Sequence, residues 1–136
     1  MCVTTRKLWL LYGQVVKEME GYADADESMM EDRKAISGYA FNINGGAVSW
    51  SAKKQEIVSL STTESEYMAA TYAAKEALWL CTLIFQLFGT SLPATTLFSD
   101  NQSAIALTKE HQYHTHTKHI DIRFHFIRWI VEEGKI

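Results

Sequence analysis

Three acidic residues carry the chemistry this sequence can offer: Asp24 in "GYADAD", Glu66 in "STTESEYMAA" and Asp100 in "LFSDNQSA". Each has an ordinary structural use of its own. Asp24 suits a turn at the end of a strand. Glu66 suits the first turns of a helix, where negative charge also complements the helix dipole. Asp100 suits the N-cap of the helix that "NQSA" begins. Together they point to something else. Acids at the ends of separate sheet elements can converge on one rim, where like charges repel and one must hold a proton. A hard dication removes that conflict, because Mg²⁺ prefers oxygen ligands and keeps several waters. Two such ions about 4 Å apart can activate a water and stabilise the leaving oxygen of a phosphodiester. Asp26 would share a strand face with Asp24, since alternate residues point the same way. It is read as supporting or solvated, with no role of its own.

The elements that must position these acids follow from the pattern around them. Residues 17–25 fit a first strand. "SGYAFNI" (37–43) alternates, with Tyr39, Phe41 and Ile43 on one side, and "NGG" (44–46) supplies the positive-φ residues of a tight hairpin turn. "AVSWSA" (47–52) returns as a third strand. A long helix is predicted next, with Ser61, Thr62 and Thr63 as candidate N-caps and Thr63 with Glu66 as a capping box. Its apolar positions are Met68, Tyr72, Leu83 and Leu87, with Trp79 between them; Gly89 ends it, and Pro93 marks the turn beyond. "ATTLFSD" (94–100) reads as a short buried strand and "NQSAIALTK" as a helix starting directly after Asp100. A third helix, about 117–133, shows Ile120, Phe124, Ile127 and Val131 on one stripe, with Gly134 as its stop; Lys135 and Ile136 begin a further strand. The order β-β-β-α-β-α-α predicts a mixed α/β fold, a mixed sheet packed against helices.

Size and composition set the bounds. The 136 residues allow one domain with one sizeable core, and an apolar fraction of 47% excludes a disordered tail. Thirteen Lys and Arg against 16 Asp and Glu give a net charge of −3, so nucleic-acid binding would have to be local and not a matter of bulk charge. Cys2 and Cys81 form neither a CxxC pair nor a disulfide framework, which fits a reducing compartment. The most apolar run, Ala77–Phe88, is too short for a membrane span. The patch after Arg6 and Lys7 lacks a cleavage site and is not read as a signal peptide.

The stretches "GYADAD", "RKAISGYAFNINGGAVSWSAKKQEIVSLSTTESEYMAATYAAKEALWL", "LFSDNQSAIAL" and "HTHTKHIDIRFHFIRWI", in this order, resemble the ribonuclease H domain of copia-type retrotransposon Pol polyproteins. The resemblance covers nearly the whole chain. It implies a ribonuclease H-like fold with a mixed five-stranded sheet, and cleavage of the RNA strand of RNA–DNA hybrids with two Mg²⁺ or Mn²⁺ ions. By the same resemblance Asp24 would bridge both ions, with Glu66 and Asp100 holding one each. Selectivity for RNA would come from consecutive 2′-hydroxyls and duplex shape. The implied partners are the hybrid and an upstream reverse transcriptase domain of the same polyprotein, with no membrane, and the implied place is an intracellular particle or the nucleus.

The sequence departs from the family in two places. The family commonly has Trp after "DAD", where this chain has Glu27 and "SMM". Family members also continue into a last strand and a helix beginning "AD-LTK", whose aspartate is a fourth metal ligand; Asp121, in "KHID", does not supply it. The expectation is therefore a connecting segment at 1–16 and an incomplete ribonuclease H-like domain at 17–136, lacking the last strand and helix. Such a piece of a polyprotein would have an exposed sheet edge, marginal stability or self-association, and weak or absent cleavage. The alternative is a non-catalytic remnant that binds nucleic acid or serves only as structure. All five histidines lie in "HQYHTHTKHIDIRFH". His114, His116 and His119 have spacings that zinc could use, but a polar surface near substrate is preferred. Family members usually carry Arg where His116 stands. Lys118, Arg123 and Arg128, with His116, are the candidates for backbone phosphates; Lys53 and Lys54 form a weaker patch. Trp50, Trp79 and Phe124 are expected in the core.

Overall fold

Asn44 and Gly45 both adopt positive φ, 49° and 80°, and close a two-residue turn between Ile43 and Gly46. Mirror-image turns of this kind match the right-handed twist of the strands they join, which is why Asn-Gly occurs in them. They connect β2 (Ile36–Ile43) to β3 (Gly46–Lys54) as an antiparallel hairpin with one irregularity at Phe41/Asn42. β1 (Met19–Asp26) pairs antiparallel with β2, and β4 (Thr96–Phe98) pairs parallel with β1, giving the sheet order β3-β2-β1-β4. In this computed structural model the described residues are 16–26, 34–56, 58–59, 61–109 and 118–136, without the side chains of residues 107, 109, 118–121 and 124. The segment expected at 1–16 falls outside them except for Val16.

Among the described residues three helices complete the order predicted from sequence: α1 (Thr62–Phe88), α2 (Gln102–Lys109) and α3 (Lys118–Glu132). A mixed four-stranded sheet with three helices is a mixed α/β architecture consistent with a ribonuclease H-like fold. The core lies between α1 and one face of the sheet. Met19, Ala23, Phe41 and Ile43 from the strands meet Ala73, Ala77, Leu80 and Ile84 from the helix. Alanines at four-residue spacing leave one side of α1 nearly flat, so its backbone can approach the sheet closely. Gly21 lies opposite Phe41 in the strand register, and a Cβ there would overlap the Phe41 ring.

The ends of α1 are fixed by local chemistry. Ser61 is the N-cap: its hydroxyl accepts the Glu64 N–H at 3.2 Å. This corrects the expected Thr63–Glu66 capping box, since Thr63 already lies inside the helix. A serine cap of this kind contributes about 1 kcal/mol. At the other end Gly89, with φ 66°, donates its N–H to Phe85 O, as the glycine signal predicted. Gly134, with φ 63°, likewise ends α3.

Other expectations need correcting. Trp50 is 72% exposed and Trp79 55%, so neither belongs to the core, and Leu87 is exposed as well. The buried face of α1 is its alanine side, a signal weaker in hydropathy than the large residues that drew the sequence reading. The strand expected at 94–100 shortens to Thr96–Phe98, with both end residues exposed. Lys135 and Ile136 form no strand; Lys135 O accepts the Thr95 N–H at 3.0 Å, and Ile136 packs against the core. Cys81 is a free thiol. Among the described residues no helix is long and apolar enough to cross a membrane.

Candidate metal centre

Strand register brings the first two acids together. β1 and β4 run parallel with Tyr22 opposite Phe98, and two residues further along each chain stand Asp24 and Asp100. Both carboxylates therefore stand at the same end of the sheet, Asp24 within β1 and Asp100 just beyond the last residue of β4. β1 alternates buried and exposed from Met19 to Asp26, which places Asp24 and Asp26 on the exposed face together, as the sequence predicted. β1 continues past Asp24, so Asp24 is a strand residue and not a turn. Asp100 is likewise not a cap: Asn101 takes that task, its Oδ1 accepting the Ala104 N–H at 2.9 Å. The Asn directly after the Asp was the available sign, since Asn caps as well as Asp does.

Glu66 comes from the helix layer. With Ser61 capping α1, Glu66 has no capping duty, and it is only 5% exposed. The backbone N–H of Ala25 hydrogen-bonds to its carboxylate, while its Oε2 is buried without a hydrogen-bond partner among the described residues. Ligand oxygens of Asp24, Glu66 and Asp100 all lie within 4.8 Å of one another. Burial, chiefly, pushes Glu66 up to about 7, with the Asp24 and Asp100 charges adding to it and the Ala25 N–H opposing it.

These features fit a hard dication. Three carboxylates supply oxygen ligands, the buried unpartnered oxygen is an empty acceptor, and the mutual repulsion is what a cation would relieve. A groove of about 500 Å³ lies over the outer sheet face, with Tyr22, Gly38, Ala40, Phe98 and Ser99 in its lining together with Asp24 and Asp100. Tyr22 and Phe98 stack in its wall, ring centroids 5.1 Å apart. This exposed aromatic pair was not foreseen.

The other candidates are placed as follows. Arg123 lies over the Tyr72 ring of α1, 5.9 Å from its centroid, and is half-buried. Arg128 is half-buried too, with its charge acting on the Tyr67 phenol. Lys118 opens α3, but its side chain is not among those described, and His114 and His116 lie outside the described residues altogether. Lys53 and Lys54 are exposed at the end of β3, Lys53 in an exposed ion pair with Glu56 at 3.9 Å. Sequence reasoning overlooked Gln55, which is 2% exposed and linked to both β2 and α1. Its signal was the alternation that sets Ser51, Lys53 and Gln55 opposite to Trp50, Ala52 and Lys54.

A pH dependence follows from Glu66. Its folded-state value of about 7 exceeds the ordinary 4.5, so between those values the folded metal-free chain holds more protons than the unfolded one. Stability of the metal-free form therefore falls as pH rises through that window. If the trio holds Mn²⁺ in place of that proton, the stabilising effect of the ion should grow from pH 5 to pH 8. At a hundredfold excess over the dissociation constant the gain is about 2.7 kcal/mol. Thermal unfolding with and without Mn²⁺ at the two pH values checks this.

No family model matches the chain. Its homologues are retrovirus-related Pol polyproteins of transposons. The sequence is 44% identical over 128 residues to the Retrovirus-related Pol polyprotein from transposon TNT 1-94 of Nicotiana tabacum, covering 93% of this chain and 10% of that protein. It is 33% identical over 119 residues to the Pol polyprotein from transposon RE1 of Arabidopsis thaliana, covering 87% of this chain and 8% of that one. A shorter likeness, 53% over 64 residues, joins 46% of the chain to 45% of Secreted RxLR effector protein 161 of Plasmopara viticola. The chain thus spans about a tenth of the length of the Pol polyproteins it matches.

Proposed function

We propose that this chain, whose homologues are transposon Pol polyproteins, is their ribonuclease H part in a copia-type element, a metal-dependent hydrolase of the RNA strand in RNA–DNA hybrids. The observation that carries the reading is the meeting of Asp24, Glu66 and Asp100 within 4.8 Å, from two strand ends and a helix distant in sequence. The family resemblance of the motifs around these three residues supports the substrate class.

Two Mg²⁺ or Mn²⁺ ions would supply the polarised phosphoryl group and a water acidic enough to attack it. By the family resemblance Asp24 would be shared by both ions, with Glu66 and Asp100 holding one each. Glu66 is preset for this: the Ala25 N–H fixes its carboxylate, and the unpartnered Oε2 remains available. Asp24 and Asp100 are exposed in the lining of the groove, where a sugar–phosphate backbone can reach them. The proposal also assigns backbone phosphates to Lys118, Arg123, Arg128 and His116, with Lys118 at the start of α3.

The test is cleavage of a labelled RNA–DNA hybrid in Mn²⁺ and in Mg²⁺, beside duplex DNA and single-stranded RNA of the same sequence. The RNA strand of the hybrid alone should be cut, weakly and only with metal present, and Asp100→Asn should abolish the cut. Cleavage unchanged by Asp100→Asn would remove the assigned site. Metal binding without any cleavage would favour the non-catalytic alternative.

A further inference from the structure

We infer that Gln55 is a positioning residue for the metal centre, tying the first turns of α1 to the sheet so that Glu66 meets Asp24. The inference rests on the proposed metal site. Gln55 directly follows β3, and its backbone N–H bonds to Ala35 O at 2.8 Å, extending the β2–β3 ladder by one rung. Its side chain turns inward. Nε2 donates to Ser37 Oγ on β2 at 2.7 Å and to Ser65 O on α1 at 3.0 Å. Ser65 immediately precedes Glu66, and Ser37 is the register partner of Ala25, whose N–H holds the Glu66 carboxylate. One amide nitrogen thus links the strand that positions Ala25 to the helix residue that positions Glu66.

The chemistry fixes the orientation of that amide. A backbone carbonyl only accepts, so the nitrogen must face Ser65. Gln55 Oε1 is left buried with no hydrogen-bond partner among the described residues. A buried orphan acceptor opposes stability, and an apolar side chain of the same length would avoid it. What glutamine adds at this place is the direct bond to the helix. Ser37 at 4% and Ser65 at 0% exposure keep the link away from water, where a hydrogen bond holds its geometry best.

The experiment uses the full 136-residue chain. Gln55→Met keeps the length of the side chain and removes its donors. Ser37→Ala removes one partner and leaves the bond to Ser65. Two quantities are read: Mn²⁺ affinity, by electron paramagnetic resonance of the free ion, and the amide chemical shift of Ala25 in the metal-free chain, which reports where the Glu66 carboxylate lies. Gln55→Met should lower Mn²⁺ affinity at least tenfold and move the Ala25 amide towards its position in Glu66→Ala. Ser37→Ala, which cuts the tie to β2 and leaves the bond to Ser65, should move both readings in the same direction by a smaller amount, and both variants lose thermal stability. A Gln55→Met chain with wild-type affinity and an unmoved Ala25 amide overturns the inference. If the wild-type chain takes up no Mn²⁺, the metal reading fails, and the Ala25 amide alone still decides whether Gln55 places Glu66. Should Gln55→Met not fold, Gln55→Leu is read in the same way; if neither folds, Gln55 is structural and the inference falls.

Discussion

On the proposed function, Asp24→Asn should abolish Mn²⁺ binding and hybrid cleavage together, while the metal-free protein should unfold at the same temperature as wild type or slightly above it. The split follows from where Asp24 sits. It is on the exposed face of β1, and its carboxylate faces that of Glu66. Its charge raises the Glu66 value, so removing it eases repulsion in the metal-free chain. The asparagine amide is nearly the same shape but carries no charge to hold a cation. Loss of several kcal/mol of charge stabilisation in the transition state corresponds to a rate at least about 10³-fold lower. Cleavage assays with thermal melts, each with and without Mn²⁺, check both halves. A variant that loses activity because it unfolds would show a melting temperature well below wild type, and the assignment of Asp24 to the metal would lose its support.

The second large effect is structural. Gly21→Ala should lower stability by about 3 kcal/mol, at the upper end of what one added methyl does in a packed core, and so lower the melting temperature on the order of 10 °C. The new Cβ would overlap the Phe41 ring and lie 2.9 Å from Leu97 Cδ1. Phe41 is fully buried and has nowhere to turn, and Leu97 belongs to β4. Displacing either disturbs the β1–β4 register on which the meeting of Asp24 and Asp100 depends. Mn²⁺ affinity should therefore fall with stability here, in contrast to Asp24→Asn. Chemical denaturation and Mn²⁺ titration of the same sample measure the two. An unaltered unfolding midpoint would mean that Gly21 is not closely packed.

What was legible in the sequence followed the local signals. Asn44-Gly45 fixed the hairpin, Gly89 and Gly134 stopped their helices, and the alternation in "GYADAD" set Asp24 and Asp26 on one face. The element order and the three acids were readable for the same reason, with the family resemblance pointing to the same three positions. The parallel pairing of β1 with β4 was not readable, because the partners are far apart in sequence and β4 has only three residues. Yet that pairing is what places Asp100 beside Asp24. Trp50 and Trp79 misled because size drew them into the core, while the small residues Ala69, Ala73 and Ala77 occupy it. Gln55 was overlooked for a related reason: the alternation of β3 sets it on the side of Ser51, but a single polar residue after a strand reads as surface.

The most direct measurement is anomalous diffraction from crystals of the chain soaked in Mn²⁺ at pH 8. A peak is predicted at ordinary coordination distance from carboxylate oxygens of Asp24, Glu66 and Asp100, and absent from crystals of Asp24→Asn. Crystals in which Mn²⁺ binds elsewhere, or not at all, with the three carboxylates in place and accessible, would contradict the metal centre.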